Sequence, residues 1–292
     1  MVNDSIGTSI PAFEHGYALL NLGCGGASHP AFVNVDLVAG PGIIGHDLRQ
    51  GIPFPDATFD LVYHSTMLST MRPADALMLT RECRRVLKPG GVLRVVTEDL
   101  EQMCRVYLAK LDAACQGDRA SAADYEWMIL ELYDQATREF SGGEMARFVR
   151  RVPLLNEEFI CSRVGEQGRS MISAARAHSR AGQNRSRRTG REVLSGLRAK
   201  CRKLLLTALL GSSGLQAWEL GRFRLTSGQV TYRMYDRFSL EQLFLNAGLS
   251  RVSVKTATES AFPSWATVNL DVSPRGQAAR PHALIMEGTR AA

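Results

Sequence analysis

The stretch Leu19–Leu37, LLNLGCGGASHPAFVNVDL, restricts the fold more than any other part of the chain. A short apolar run enters Gly-Cys-Gly-Gly, and a second apolar run follows at once and ends in an acid, Asp36. Runs this short, separated by a glycine turn, read as two neighbouring strands. In a dinucleotide-binding fold such a glycine loop opens a helix whose N-terminus faces pyrophosphate, with an acid about twenty residues on for the ribose. Here Asp36 follows Gly25 by eleven residues, and Ser28 follows Gly26-Ala27 where the third glycine of G-x-G-x-x-G would be needed. There is little room for a full helix. The loop therefore suits a ligand without phosphates, one that needs close backbone approach at the glycines and a carboxylate for two ribose hydroxyls.

The rest of the chain supports a parallel sheet. Strands are expected at YALLNL, FVNVDL, GIIGH, FDLVYHS and GVLRVVT. Between the last two, RPADALMLTRECRRVLKPGG predicts a crossover helix: Pro73 suits a first turn, Leu79, Cys83 and Val86/Leu87 recur at helical spacing, and Pro89-Gly90-Gly91 stops it. From Asp99 to about Phe140 the pattern is helical and is expected to cover the open end of the sheet. The Gly-, Ser-, Ala- and Arg-rich stretch from Gly165 to Arg191 has little periodicity and reads as a mobile insert. Order returns at MYDRFSLEQLFLNAGLSRVSVKT, with Ser239 and Gln242 as a capping box, Gly248 as a helix stop and RVSVKT as a strand. WATVNLDV is expected to supply a further strand. The chain thus divides into a core over 1–140, a helical and basic insert or cap over 141–227, and a C-terminal part over 228–292 that completes the sheet.

Length and composition admit one large α/β domain with an insert: 292 residues, 45% of them hydrophobic, suffice for a core. No window approaches the eighteen apolar residues of a membrane span, and MVNDSIGTSIPAFEHGY lacks the pattern of a secretory signal. A cytoplasmic location is the expectation. The six cysteines contain no C-x-x-C pair, which reads as reduced thiols and no zinc site. The formal charge of +6 is unevenly spread: Arg169 to Lys203 holds eleven Lys or Arg against one acid, Glu192, leaving 24 bases and 28 acids elsewhere. Within it, EVLSGLRAKCRKLLLTALL reads as an amphipathic helix flanked by Arg198, Arg202 and Lys203. Packing on the catalytic domain and peripheral contact with an anionic membrane through 169–210 both remain open for it, and nucleic acid is disfavoured.

S-adenosylmethionine is a phosphate-free ligand of the required kind, and HDL at the end of the third strand adds a second acid, Asp47, for the adenine edge. The residues resemble the class I S-adenosylmethionine-dependent methyltransferases, most closely a bacterial subgroup related to methyltransferase type 11. LNLGCGG…VNVD, HDLRQGIPFPDATFDLVYHS, ECRRVLKPGGVLRVV and EDLE carry the resemblance, with MYDRFSLEQLFLNAGL and LDVSPRGQAARPHALIMEG far downstream. It implies a Rossmann-like sheet of seven mostly parallel strands with the last reversed. It further implies S-adenosylmethionine as cofactor, with Asn21, Gly23, Cys24 and Gly25 around the methionine part. Asp36 and Leu37 would serve the ribose side, Asp47 and Leu48 the adenine, and Ser65 the end of the fourth strand. Two departures stand out. Thr66, Ser69 and Thr70 stand where the family usually has His, Glu and His, and Thr231 and Arg233 replace a His and a Trp.

His64 and Asp99 are the remaining candidates for catalysis, each at the carboxyl end of an expected strand. Asp99 equally suits the N-cap of the next helix. Glu98, Tyr235 and Asp236 are weaker candidates. The expected activity is methylation of a small-molecule or carbohydrate-like acceptor, at oxygen. Two alternatives stay open: use of S-adenosylmethionine in other chemistry such as intramolecular cyclisation, and a catalytically inactive cofactor-binding partner protein.

Overall fold

The computed structural model describes residues 13–181 and 190–291, with side-chain surroundings left out between 178 and 203. Strands β1 (Leu19–Leu22), β2 (Phe32–Asp36), β3 (Ile43–Gly45) and β4 (Phe59–Ser65) precede the crossover helix α1 (Pro73–Val86), which leads into β5 (Leu87–Glu98). Helices α2 (Leu100–Cys115), α3 (Arg119–Thr137), α4 (Gly143–Phe148), α5 (Glu157–Val164), α6 (Glu166–Ala181) and α7 (Gly190–Thr226) follow. The chain then returns through α8 (Arg237–Asn246), β6 (Leu249–Lys255), α9 (Trp265–Val268) and β7 (Ala283–Arg290). The strands form one seven-stranded sheet in the order β3-β2-β1-β4-β5-β7-β6. β7 runs antiparallel to both neighbours, while the pairings among β1 to β5 are parallel. This is the expected Rossmann-like α/β sheet with its last strand reversed.

Parallel strands buried on both faces read as near-continuous apolar runs, which is why LLNL and LVYH show no clean alternation. Leu20, Leu22, Val62, Leu93 and Val95 face one core, covered by Leu79 and Cys83 of α1 and Leu240 and Phe244 of α8. Leu19, Phe32, Leu61 and Tyr63 face a second core, closed by Phe262, Trp265 and Val268. A third core lies among the helices after β5, built from Met103, Trp127, Met128, Phe148, Ile160 and Ile172.

Three expectations are corrected. WATVNLDV does not form a strand. Its buried members are Trp265, Val268 and Asp271, at three-residue rather than alternate spacing, so the segment turns through α9 and an irregular loop. Trp265 fixes it there: its Nε1 donates to the Ala257 carbonyl at 3.0 Å and its ring stacks 5.9 Å from Tyr63. The final strand comes instead from ALIMEGTR. Second, the box at the start of α8 uses Asp236 as cap and Ser239 as the third helical residue, one turn earlier than Ser239 with Gln242. Third, the stretch after Gly165 is a helix as far as Ala181. The glycines that suggested a loop are spacers: a Cβ on Gly168 would meet the Val164 Cγ2 at 2.5 Å, and one on Gly165 would meet the Ala279 carbonyl at 2.3 Å. Ile172 and Ala175, three residues apart, then bury into the third core.

The remainder of the basic segment, 182–189, lies outside the described residues, as do residues 1–12, on which part of the expectation about a leader rests. Among the described residues no helix is long and apolar enough to cross a membrane. α7 breaks at Gly211, where φ is +70°, and leaves Leu204, Leu205, Leu209 and Leu210 exposed.

Candidate functional site

The carboxyl ends of β1, β2, β4 and β5 lie along one edge of the sheet, and β7, being reversed, begins there with Ala283 opposite Glu98. At β1 the chain turns through Gly23 and Gly25, both with positive φ (+59° and +50°), a region that disfavours any side chain. The turn is held from below. Buried Asn21 donates its amide to the Ala27 carbonyl and to the Asn34 Oδ1, each at 3.0 Å, and the Gly23 N–H donates to the Val35 carbonyl at 2.8 Å. From the side, the Asp36 Oδ2 accepts the Gly25 N–H at 2.8 Å. The short gap between glycines and acid thus makes a loop that the acid itself braces.

These residues fit the adenosyl group of the expected cofactor. A Cβ on Gly25 or Gly26 would meet nothing within 4 Å, so the loop presents open backbone. Beside the Asp36 carboxylate, Leu37 and Val38 are 63% and 72% exposed, an apolar lip next to a hydrogen-bond acceptor. Cys24 and Leu48 are buried beneath this surface. Burial, followed by the nearby Asp36 charge, pushes the Cys24 thiol upward, so it stays protonated. The His46 N–H donates to the Asp36 carbonyl at 2.8 Å, which brings Asp47 to the same edge. The Asp47 carboxylate is engaged by the Arg49 guanidinium at 2.8 Å, which holds it below the usual carboxylate range. Ser65 closes β4 next to Thr66, whose φ is +54°.

A cavity of about 610 Å³ opens over the same edge, between the sheet and the helices that follow β5. Thr66, Thr97, Glu98 and Asp99 form its sheet side, and residues of α3 to α6 form its roof. Thr66 and Thr70 line it, but their hydroxyls donate to the backbone carbonyls of Ser65 and Met67, each at 2.8 Å. Ser69 is buried, and its carbonyl accepts from the Tyr232 N–H at 2.8 Å. The Thr231 hydroxyl meets the Gln135 amide at 3.1 Å. The residues that depart from the family pattern therefore tie segment 231–233 to the sheet edge and to α3.

The two catalytic candidates are separated. Asp99 lines the cavity and also caps α2, accepting the Gln102 N–H at 3.1 Å; burial raises its carboxyl above the usual range. His64 faces the core between Leu22 and Val95, fully buried, with neither ring nitrogen hydrogen-bonded, and burial pushes it down to about 3. Glu98 lines the cavity, whereas Asp236 is committed to capping α8 and Tyr235 is buried in the core shared by α1 and α8.

Sequence reasoning missed another part of the cavity wall. Arg163 and Glu131 form a buried pair, Nη2 to Oε2 at 2.6 Å, and Glu131 also accepts the Trp127 Nε1–H at 2.6 Å. Arg280 and His282 also line the cavity, His282 beside Asp99 because Ala283 pairs with Glu98. His282 was findable: it immediately precedes a strand that, once reversed, must start at the carboxyl edge. Arg163 and Glu131 gave no comparable signal, because their pairing depends on how α3 and α5 pack.

Residues 31–95 match the methyltransferase domain family of type 11. Among curated proteins, "Uncharacterized methyltransferase sll0829" of Synechocystis is 31% identical over 103 residues, which cover 29% of this chain and 49% of that one. "Probable methyltransferase ltbC" of Aspergillus luteorubrus is 45% identical over 58 residues, 18% of this chain and 20% of that one. The chain thus spans half or less of the curated relatives it matches. A solved S-adenosylmethionine-dependent methyltransferase from Mesorhizobium loti is 15% identical, covering 93% of this chain and 90% of its own, with a TM-score of 0.34. The segment from β2 to β5, on a sheet of this order, thus carries a methyltransferase domain match of type 11.

Proposed function

We propose that the protein methylates an oxygen of a small-molecule or carbohydrate-like acceptor seated in the cavity of about 610 Å³. The observation that carries this reading is where the cavity ends. It reaches Thr66 and Asp99 at the carboxyl ends of β4 and β5, and β4 is paired directly with β1, whose end carries the glycine loop. A donor on the loop and an acceptor in the cavity would meet at the end of β4.

When bound, the cofactor supplies a methyl carbon on a positively charged sulfur, which is already a good leaving group. The chain's contribution is then mainly to hold the acceptor in line, where effective molarities reach roughly 10⁵ to 10⁸ M. As the new C–O bond forms and the S–C bond breaks, the acceptor hydroxyl loses its proton. Asp99 is the proton acceptor in this reading: it lines the cavity, it is half-shielded from water, and its raised pKa brings it closer to the acceptor's. His64 is shut inside the core and takes no part.

The test is turnover with S-adenosylmethionine and a panel of hydroxylated acceptors, following S-adenosylhomocysteine and the methylated product by mass spectrometry. Asp99→Asn keeps a competent helix cap but removes the base, so turnover should fall at least about a hundredfold with S-adenosylhomocysteine affinity unchanged. The acid limb of the wild-type rate profile should lie above the ordinary carboxylate range and vanish in the variant. Full activity of Asp99→Asn would exclude it as base. Consumption of an acceptor without S-adenosylhomocysteine would favour the non-methylating alternative.

Peripheral contact with an anionic bilayer through 169–210 belongs to the same proposal. It is supported by the exposed Leu204, Leu205, Leu209 and Leu210 on α7, next to a segment with eleven basic residues and one acid.

A further inference from the structure

We infer that the acceptor carries a carboxylate, held at the part of the cavity wall that Arg163, Arg280 and His282 line. The inference deepens the proposed function, on which it rests, by naming the group that distinguishes the acceptor from a neutral sugar.

Arg163 is 5% exposed and lines the cavity. Its Nε and Nη2 are used by Glu131, at 3.3 and 2.6 Å, while Nη1 is buried with no hydrogen-bond partner. A guanidinium presents its donors in one fixed plane, so the two bonds to Glu131 fix where Nη1 points. A buried charged donor left unsatisfied is costly, and native proteins rarely leave one without a partner. Arg163 lines the cavity, and an acid oxygen drawn into that wall would satisfy it.

The neighbours are of matching chemistry. The Ala279 carbonyl and Pro281 crowd Gly165, two residues after Arg163, so the 279–282 loop and the end of α5 form one surface. Arg280 on that loop donates through Nη1 to the Gln167 Oε1 at 3.2 Å and forms no ion pair among the described residues. With its oxygen occupied, the Gln167 amide has its N–H groups to offer. His282 is half-buried; burial, then the Arg163 charge, holds it below its usual value, so near neutral pH it offers an N–H donor without a further charge.

The cations favour an anion. Glu131 cancels the charge of Arg163 and Asp134 that of Arg138, which leaves Arg280 and Arg150 among the cations that line the cavity. The matched probes below separate a carboxylate from a phosphate. Glu98 and Asp99 line the same cavity and Asp99 lies beside His282, so Arg163 and Arg280 are the groups that hold the acid while the reacting hydroxyl turns to Asp99.

The experiment compares matched probes by calorimetry, with and without S-adenosylhomocysteine: glucuronate against glucuronamide, salicylate against salicylamide, and glucose 6-phosphate against both acids. The wild type should bind at least one acid no less than about tenfold more tightly than its amide, the scale of a charge-assisted hydrogen bond. Arg280→Gln should reduce that ratio to below about threefold. So should Arg163→Lys, which keeps a cation for Glu131 while removing the planar third donor. Unchanged S-adenosylhomocysteine affinity in both variants shows that the fold is intact. Equal binding of acid and amide, a preference that survives both substitutions, tighter binding of the phosphate ester, or no saturable binding of either acid at millimolar concentration would each overturn the carboxylate site. A wild type that binds acids selectively but not S-adenosylhomocysteine would sink the methyltransferase reading and leave this site standing.

Discussion

Arg94 and Asp271, 177 residues apart in sequence, meet at 2.7 Å with both side chains buried. Arg94 stands on β5, between β4 and β7 in the sheet. Its guanidinium also binds Glu287 of β7 at 2.7 Å and the carbonyls of Glu259 and Thr256 at 2.8 and 2.9 Å, and it stacks 4.2 Å over Trp265. The irregular segment that covers this face is therefore pinned by hydrogen bonds to one cation. A regular layer would satisfy its own backbone; this one borrows donors from Arg94.

Arg94→Met should destabilise the fold by about 3 to 5 kcal/mol, because Asp271 and Glu287 would be left as buried charges without their partner. Urea denaturation read by tryptophan fluorescence measures it. An unchanged midpoint would show that the loop does not depend on this pair.

His64 makes stability depend on pH. Its imidazole is held neutral, at about 3, while in the unfolded chain it titrates near 6.5. The unfolded state therefore takes up the proton first as the solution is acidified. Its contribution to stability is complete above pH 6.5 and is lost progressively from 6.5 down to about 3, amounting to about 2 kcal/mol by pH 5. His64→Leu should remove this component between pH 7.5 and 5 and leave turnover within about threefold, since no hydrogen bond is lost. A variant with the wild-type pH dependence would place the titration elsewhere. A dead but folded variant would return His64 to the chemistry.

Replacing Leu204, Leu205, Leu209 and Leu210 with serine should abolish sedimentation with vesicles rich in phosphatidylglycerol, without moving the thermal midpoint by more than about a degree, because exposed side chains contribute little to folding. Wild-type binding to those vesicles should also weaken as salt is raised. If the wild type ignores the vesicles, the exposed leucines have another partner.

What the sequence made legible was set by local rules. β4 was read residue for residue, and the glycine loop with Asp36 was found because a strand, a turn without side chains and an acid are all encoded within nineteen residues. Gly168 was misread because a glycine that lets two helices touch looks the same in one dimension as a glycine that breaks a helix. Trp265, Val268 and Asp271 were misread because the burial of Asp271 depends on Arg94, far away in the chain. The Arg163–Glu131 wall was invisible for the same reason: only tertiary packing turns two ordinary helical charges into a buried pair with one donor to spare.

The central claim is that the loop braced by Asp36 holds the cofactor, and titration calorimetry with S-adenosylhomocysteine tests it most directly. The wild type should bind one equivalent. Asp36→Ala removes both the proposed ribose acceptor and the 2.8 Å brace on the Gly25 N–H, and should weaken binding roughly ten- to a hundredfold, the scale of one or two charge-assisted hydrogen bonds. Equal affinity in the wild type and a folded Asp36→Ala variant would contradict the account.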